Sequence, residues 1–471
     1  MKQSEAVVFV SAGMSSPKKR DHMLARRQLY LNYGALSLAT TLYVAGYDTS
    51  VVHGEHETPE SVVAGLLQSG RLPSVYPLML SVPSFHALPW ARTFCMLIRR
   101  ALPACRIVVG GRWVVGPDPA WLRSKLPEAE VFVPGLAEPY IEALLTGTPE
   151  IGRTRVPRPD HPLHHPLVDG YLRYQPSVEA SRGCGMGCGF CEEREIPVDK
   201  LGPAERMWET MKAVQAQYAD GEIRPYLQAS MFVPTARWAE AMAECVQRDT
   251  LRIPWRTESR VDALTEDAIA ALASAGMKVL DLGLETASPQ QILAMKKSRY
   301  PDRYLDRASR LLRACARAGV QAKVNVLIYG GETARTLGET QQWLDEHAGQ
   351  IAGVSVGPVV AYGPPKTADP FLRELGDLGA RTIDVGSAQE TGISHIHPSR
   401  EIDVTEAERL SLQLSRRYMD ADQYFRLKQF SYYPRDYGRD HFDQDMARSD
   451  PATLPFRTGD DAQAMNPRTT R

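Results

Sequence analysis

The sequence predicts an α/β fold: an N-terminal doubly wound (Rossmann-like) parallel sheet, then a partial (β/α)6 barrel, then a mostly helical C-terminal region. Three observations predict it. Short β-branched runs alternate with amphipathic stretches over residues 1–150. The same alternation resumes at about residue 176, behind a segment dense in Pro, His and Arg, and it fades after residue 365.

In the first series, strands are expected at 7–10, 48–54, 75–82, 106–110 and 130–134, with helices at 33–46, 59–68, 89–102 and a short one ending near 145. Repeated β/α units of this kind build a parallel sheet covered on both faces, with ligands beyond the carboxyl ends of its strands. Residues 151–175 read as an interdomain linker. Its histidines, His161, His164 and His165, are either metal ligands or part of a solvated connector. The second series places strands at 177–181, 226–229, 253–256, 279–283, 324–329 and 354–360, six in all, as in an open barrel over 176–365 whose functional groups gather at strand ends. A C-terminal region at 366–447 and a polar tail at 448–471, expected to be disordered, complete the chain.

With 471 residues and 43% hydrophobic content, the chain can form more than one full core. Lys and Arg together number 55 against 56 Asp and Glu, so no general attraction for nucleic acid or an anionic membrane is expected, and small molecules are the default partners. The N-terminus runs directly into a strand-like segment without the features of a signal peptide, and no apolar run approaches the roughly 20 residues that span a bilayer. The expected location is cytoplasmic.

Four of the seven cysteines, Cys95, Cys105, Cys245 and Cys315, are scattered through apolar surroundings and read as small buried hydrophobes. The other three are concentrated in Glu179-Ala-Ser-Arg-Gly-Cys184-Gly-Met-Gly-Cys188-Gly-Phe-Cys191, directly after a strand. Glycines let such a loop wrap tightly, and three thiolates at gaps of three and two residues can each take a corner of a cubane cluster, leaving the fourth iron open to a chelating small molecule. A structural zinc site normally takes four protein ligands, and no second Cys or His pair stands at the required spacing.

This segment resembles the signature of the radical S-adenosylmethionine (radical SAM) superfamily, including the aromatic residue before the last cysteine, here Phe190. The resemblance continues through Arg256-Thr-Glu-Ser-Arg260, Gly283-Leu-Glu-Thr-Ala-Ser288 and Tyr329-Gly-Gly-Glu-Thr333, which look like the family's strand-end motifs in order. It implies a [4Fe-4S] cluster on Cys184, Cys188 and Cys191, whose open iron chelates S-adenosylmethionine and whose electron cleaves it to a 5′-deoxyadenosyl radical. It further implies that Glu258 or Arg260 pairs with the methionine amino or carboxylate group, that Glu285 and Ser288 hold the ribose or the amino group, and that Gly330 and Gly331 let backbone approach the adenine. A structural ion pair or a helix cap is the alternative for each polar residue, Glu332 and Thr333 included. Electrons would come from a flavodoxin-like donor.

A doubly wound domain ahead of such a core looks like the cobalamin-binding domain of one large class of the superfamily. Ser81 in Ser81-Val-Pro83 and the pair Gly110 and Gly111 resemble that domain's elements for the nucleotide tail, though a Gly-Gly after a strand is also an ordinary tight turn. The chain lacks an Asp-x-His-x-x-Gly sequence, which argues against a histidine-ligated cobalt; its nearest histidines lie in Val52-His-Gly-Glu-His-Glu57. The basic cluster Lys18-Lys-Arg20, with Arg26 and Arg27, can meet a phosphate or form a solvated face.

Aromatic residues crowd 418–442, where they either wall a substrate site or pack against the barrel. No cysteine follows Cys315, so a further Cys-ligated cluster in this region is excluded. The resemblance implies a cobalamin-dependent methyltransferase acting on an unactivated carbon or a phosphorus of a small natural product or metabolite. Two other readings are a radical cyclase, oxidase or rearrangement enzyme in which cobalamin does not methylate or is absent, and a noncatalytic iron-sulfur or cobalamin sensor. RNA modification is disfavoured because no compact basic module is appended. No single acid or base is marked as catalytic.

Overall fold

The computed structural model describes residues 3–14, 22–116, 118–149, 159–218 and 221–458. The cluster Lys18 to Arg20 lies outside these, as do residues 459–471 of the expected tail and the first part of the expected linker, 151–158.

Strands β1 (Val7–Ser11), β2 (Thr49–His53), β3 (Leu78–Ser81), β4 (Ile107–Gly110) and β5 (Val131–Phe132) form a parallel sheet in the order β2-β1-β3-β4-β5. β1 is buried along its whole length, as a strand covered on both faces must be. Its alternation divides two cores. Val8 and Val10 pack with Val62, Leu66, Phe94 and Ile98 of the helices Pro59–Gln68 and Leu88–Ala101, whereas Val7 and Phe9 pack with Leu36 and Leu42 of the helix Tyr33–Val44 on the other side. The connection from β1 turns to β2 on one side and the chain then continues to β3 on the other. The crevice of a doubly wound sheet therefore opens above Ser11 and Ser81, at the carboxyl ends of β1 and β3.

Strands β6 (Ser177–Glu179), β7 (Tyr226–Gln228), β8 (Trp255–Arg260), β9 (Met277–Glu285), β10 (Gln321–Ile328) and β11 (Ile351–Pro358) follow one another in a second, six-stranded parallel sheet, the partial barrel. In β10 the apolar residues Ala322, Val324, Val326 and Ile328 are buried against the outer helices, so the alternate positions Lys323 and Asn325 face the lumen. Among the described residues, no helix is long and apolar enough to cross a membrane.

The C-terminal region is helical, at Pro365–Asp377, Val385–Thr391, Val404–Arg417, Ala421–Gln429 and Arg439–Ala447. A small antiparallel sheet of β12 (Val360–Tyr362), β13 (Arg381–Thr382) and β14 (Ile393–His397), in the order β12-β14-β13, accompanies the helices. Its two- to five-residue strands pair across gaps in sequence, and so leave no periodic signal.

Two segments pack more closely than the sequence suggests. Within 159–175, Leu163, Val168 and Tyr174 join the core of the first sheet, and the Asp169 N–H donates to the Val51 carbonyl. His165 is buried and bonded to Gln217, and His164 stacks on Tyr43. Past residue 448, Leu454 and Phe456 are fully buried beside Tyr424 and Phe442. In both segments the apolar residues stand at irregular spacing between prolines and polar residues, which hides their burial from a periodic reading.

Candidate active site

The cysteine loop starts where β6 ends. Gly183, Gly185 and Gly187 take φ values of 76°, 65° and 74°, a left-handed backbone that only glycine adopts without strain, and a Cβ on Gly183 would collide with the Pro197 carbonyl. The loop is pinned by Cys184 N–H to Ile196 O (2.9 Å), Asp199 N–H to Arg182 O (2.8 Å) and Gly189 N–H to Met295 O (2.8 Å). All seven cysteines are free thiols; Cys95 and Cys315 are buried, and Cys105 and Cys245 are half-buried.

Arg260, at the carboxyl end of β8, donates from Nη1 to Cys188 Sγ at 3.1 Å. Burial raises the Cys184 thiol and pushes the Cys191 thiol up to about 11, which makes nearby cationic groups such as Arg260 and Lys297 necessary company for thiolates at these positions. Among the described residues, no three His, Cys, Asp or Glu side chains converge as ligands of one metal ion. A cubane takes one thiolate per iron, and the three sulfurs on a glycine loop with a cation against one of them fit that donor set.

The other strand-end residues fall into two groups. Arg260 is held by Asp262 (2.9 Å) and the Lys297 carbonyl (2.7 Å), so its guanidinium is committed to the protein and to Cys188. Lys297 Nζ lies 3.3 Å from Glu285 Oε1 and 5.6 Å from the centre of the Phe190 ring, which packs edge-on against Tyr329. Glu285 has φ of 66°, a costly backbone for a non-glycine residue and a mark of functional sites. Cys188, Phe190, Arg260, Glu285 and Lys297 thus converge.

Ser288, Gly330 and Gly331 have partners of their own. The buried Ser288 hydroxyl donates to Glu339 (2.5 Å), and the two glycines approach Leu375 and Leu378 rather than open space. Glu258 reaches accessible space in the lumen beside the Tyr226 hydroxyl (3.3 Å), and its carboxyl is pushed up to about 7, first by the desolvation of a protein-walled site and then by Asp281.

Thr333 caps the helix Ala334–Glu346, the structural alternative for that residue. Burial pushes Glu332 up to about 7, only partly offset by the Thr336 hydroxyl that donates to it at 2.5 Å. The folded protein therefore holds this proton more tightly than the unfolded chain does. The stability it contributes is complete below about pH 4.5 and is lost as pH rises towards 7. Glu332→Gln is expected to raise stability at pH 8 by up to about 3 kcal/mol and to change little at pH 4. Urea titrations at both pH values measure this, and an equal effect at the two would contradict it.

A cavity of about 1680 Å³ joins the two parallel sheets. From the first it takes Ser11, Ser81, Gly110 and Gly111 at strand ends, and from the second Arg256, Lys323 and Ser355 in the lumen. Asn32 Nδ2 donates to both Ser11 and Ser81 hydroxyls at 2.9 Å and fixes that end. Gly111 has φ of 135° and its missing side chain lets it lie against Val82, while a Cβ on Gly110 would meet only open space. The cavity is larger than a drug-sized site and, walled by bare backbone and hydroxyls at a doubly wound crevice, fits a large macrocycle with polar side arms.

The lumen end carries residues that sequence reasoning did not single out. Arg256 is wholly buried, bonded to Asp281 through both Nε (2.5 Å) and Nη2 (2.6 Å), and it also donates to the Leu427 carbonyl (2.6 Å). Lys323 adds a 3.0 Å contact to Asp281. Burial alone would raise the Asp281 carboxyl, but Arg256 and Lys323 outweigh it and hold the group at about 2. In the aromatic stretch, Tyr424 and Tyr432 line the cavity, and Phe425, Tyr433, Tyr437 and Phe442 pack in a core. Arg27 pairs with Asp445 (2.7 Å).

A sequence model of the radical SAM superfamily matches residues 178–344. No curated protein matches the chain by sequence. Among solved structures, the radical S-adenosylmethionine methyltransferase TsrM from Kitasatospora setae, with cobalamin and a [4Fe-4S] cluster bound, is similar at a TM-score of 0.64 and 16% identity, covering 87% of this chain and 88% of that one. The same enzyme with tryptophan substrate and a SAM analogue gives 0.61 at 17% identity, covering 80% and 78%. The cobalamin-dependent S-adenosylmethionine radical enzyme OxsB, with aqua-cobalamin and S-adenosylmethionine bound, gives 0.57 at 14% identity, covering 94% of this chain and 66% of that one. Residues 178–344 therefore carry a radical SAM domain, and the chain shares the overall fold of cobalamin-dependent enzymes of that superfamily.

Proposed function

We propose that this enzyme is a cobalamin-dependent radical SAM methyltransferase acting on an unactivated carbon, or a phosphorus, of a small natural product or metabolite. The observation that carries the reading is the large cavity joining the crevice of the first sheet to the lumen of the barrel beside the cysteine loop. Similar folds solved with cobalamin and a cluster support it.

In this reading Cys184, Cys188 and Cys191 hold the cluster, Ser81, Gly110 and Gly111 receive the corrinoid, and Phe190, Glu258, Glu285, Ser288, Gly330 and Gly331 surround S-adenosylmethionine. When bound, the cluster supplies the electron for reductive cleavage and the corrinoid carries the methyl group. The protein supplies the rest. Arg260 donates to Cys188 and fixes the loop, Glu258 presents the lumen with a carboxyl able to exchange a proton near neutral pH, and Tyr424 and Tyr432 keep water from the reacting centre. A flavodoxin-like protein delivers electrons, and the site of action is the cytoplasm.

Anaerobic incubation of the reduced holoenzyme with S-adenosylmethionine carrying a deuterated methyl group tests the proposal without knowledge of the substrate. Label recovered in the corrinoid fraction, together with 5′-deoxyadenosine, is the expected result. Formation of 5′-deoxyadenosine with no label in the corrinoid would transfer the assignment to a cyclase, oxidase or rearrangement enzyme.

A further inference from the structure

The cysteine loop is bonded to the N-terminal sheet at both of its flanks. On one side Arg182, two residues before Cys184, pairs with Glu138 (2.6 Å) and Glu179 (2.5 Å). On the other, Glu193, two residues after Cys191, pairs with Arg112 (3.1 Å). Glu138 opens the short 3-10 turn Glu138–Tyr140 in the connection after β5, and Arg112 opens the short helix Arg112–Val115 in the connection after β4. Each of those connections contains a glycine at a positive φ, Gly135 at 132° and Gly111 at 135°, and the ion pairs join it to a flank of the cysteine loop.

These pairs are sheltered. The side chains of Arg182, Glu138, Glu179 and Glu193 are 9–13% exposed and that of Arg112 27%, so the attraction is stronger than that of surface pairs, most of all at Arg182. All five residues also line the large cavity. Arg182 Nη1, Glu138 Oε2 and Glu193 Oε2 are buried without a hydrogen-bond partner, so the clamp retains polar capacity that a ligand with amide arms can engage.

We propose that Arg182–Glu138 and Glu193–Arg112 are positioning pairs that couple corrinoid binding in the cavity to the ordering of the cysteine loop, so that each cofactor strengthens the binding of the other. The inference rests on the corrinoid reading of the cavity. A ligand that fills the cavity settles the loops after β4 and β5, and the pairs pass that order to both flanks of the cysteine loop. By linkage the effect is reciprocal.

The test is a thermodynamic cycle read by hydroxocobalamin titration, followed by visible absorbance, on the full-length chain. One arm uses protein with a reconstituted cluster and the other the cluster-free C184A/C188A/C191A variant. The cluster-loaded protein is expected to bind about tenfold more tightly. In the Glu138→Gln, Arg112→Gln background that ratio is expected to fall to about one, and in Arg112→Gln alone to an intermediate value. Retained cluster-free affinity in the double variant shows that it has folded. Should it not fold, the single variant decides. A ratio of one in the wild-type background, or a ratio undiminished by the substitutions, overturns the coupling while leaving corrinoid binding intact. Absence of hydroxocobalamin binding in every protein overturns both the coupling and the cobalamin reading beneath it.

Discussion

Cys188→Ala is expected to purify as a folded protein with iron at background and with no reductive cleavage of S-adenosylmethionine. Cys188 is the buried member of the triad, and its sulfur is the one that accepts from Arg260. With two thiolates left, a cubane loses a corner ligand, and the short glycine loop offers no substitute. The fold should tolerate the change, because Arg260 keeps Asp262 and the Lys297 carbonyl as partners. Iron analysis and quantification of 5′-deoxyadenosine measure the effect. Wild-type iron content with intact cleavage would remove Cys188 from the site. Arg260→Gln should retain the cluster and change its reduction potential, which separates a supporting donor from a ligand.

Arg256→Met is expected to have the largest effect on stability of any single lumen substitution. It would leave Asp281 charged, buried and bonded only to Lys323, and breaking a buried pair from one side costs about 3–5 kcal/mol. It also removes the donor that ties the Leu427 carbonyl to the barrel, so the C-terminal wall of the cavity should loosen. Removing Asp281 as well, in Arg256→Met with Asp281→Leu, should recover part of the loss. The pH dependence has a fixed sign. Because Asp281 is held at about 2, below the ordinary 3.8, its contribution is present above 3.8 and lost as pH falls towards 2. Urea denaturation midpoints measure all three, and a loss under about 1 kcal/mol for Arg256→Met would show that the pair is not a structural linchpin.

The two sheets were legible because their signals are local. β1 is a continuous apolar run and β10 alternates residue by residue, so period and turn residues place both within a few positions of the structure. The cysteine loop was legible for the same reason, since its ligands, glycines and aromatic residue share one short segment.

What the sequence hid depends on pairing across distance. Asp281 stands in β9 among apolar neighbours, and only the register of β8 against β9 brings Arg256 to it. Glu138 and Arg112 look like ordinary surface charges until the fold sets them against Arg182 and Glu193. Ser288 belongs to a motif that suggested a cofactor contact, and only the fold shows that its hydroxyl also has a partner in Glu339, fifty-one residues away in the chain. His165 sits in a proline-rich stretch whose burial depends on Gln217.

The central claim is that one chain holds a cluster at its cysteine loop and a corrinoid in the adjoining cavity, and it is tested most directly by measuring iron, sulfide and cobalt in wild-type protein purified anaerobically from cells supplied with cobalamin. The account predicts about four irons and four sulfides with about one cobalt per chain, and a visible spectrum carrying both cofactors. Iron without cobalt would contradict the cobalamin assignment, and protein that takes up no cluster would contradict the account as a whole.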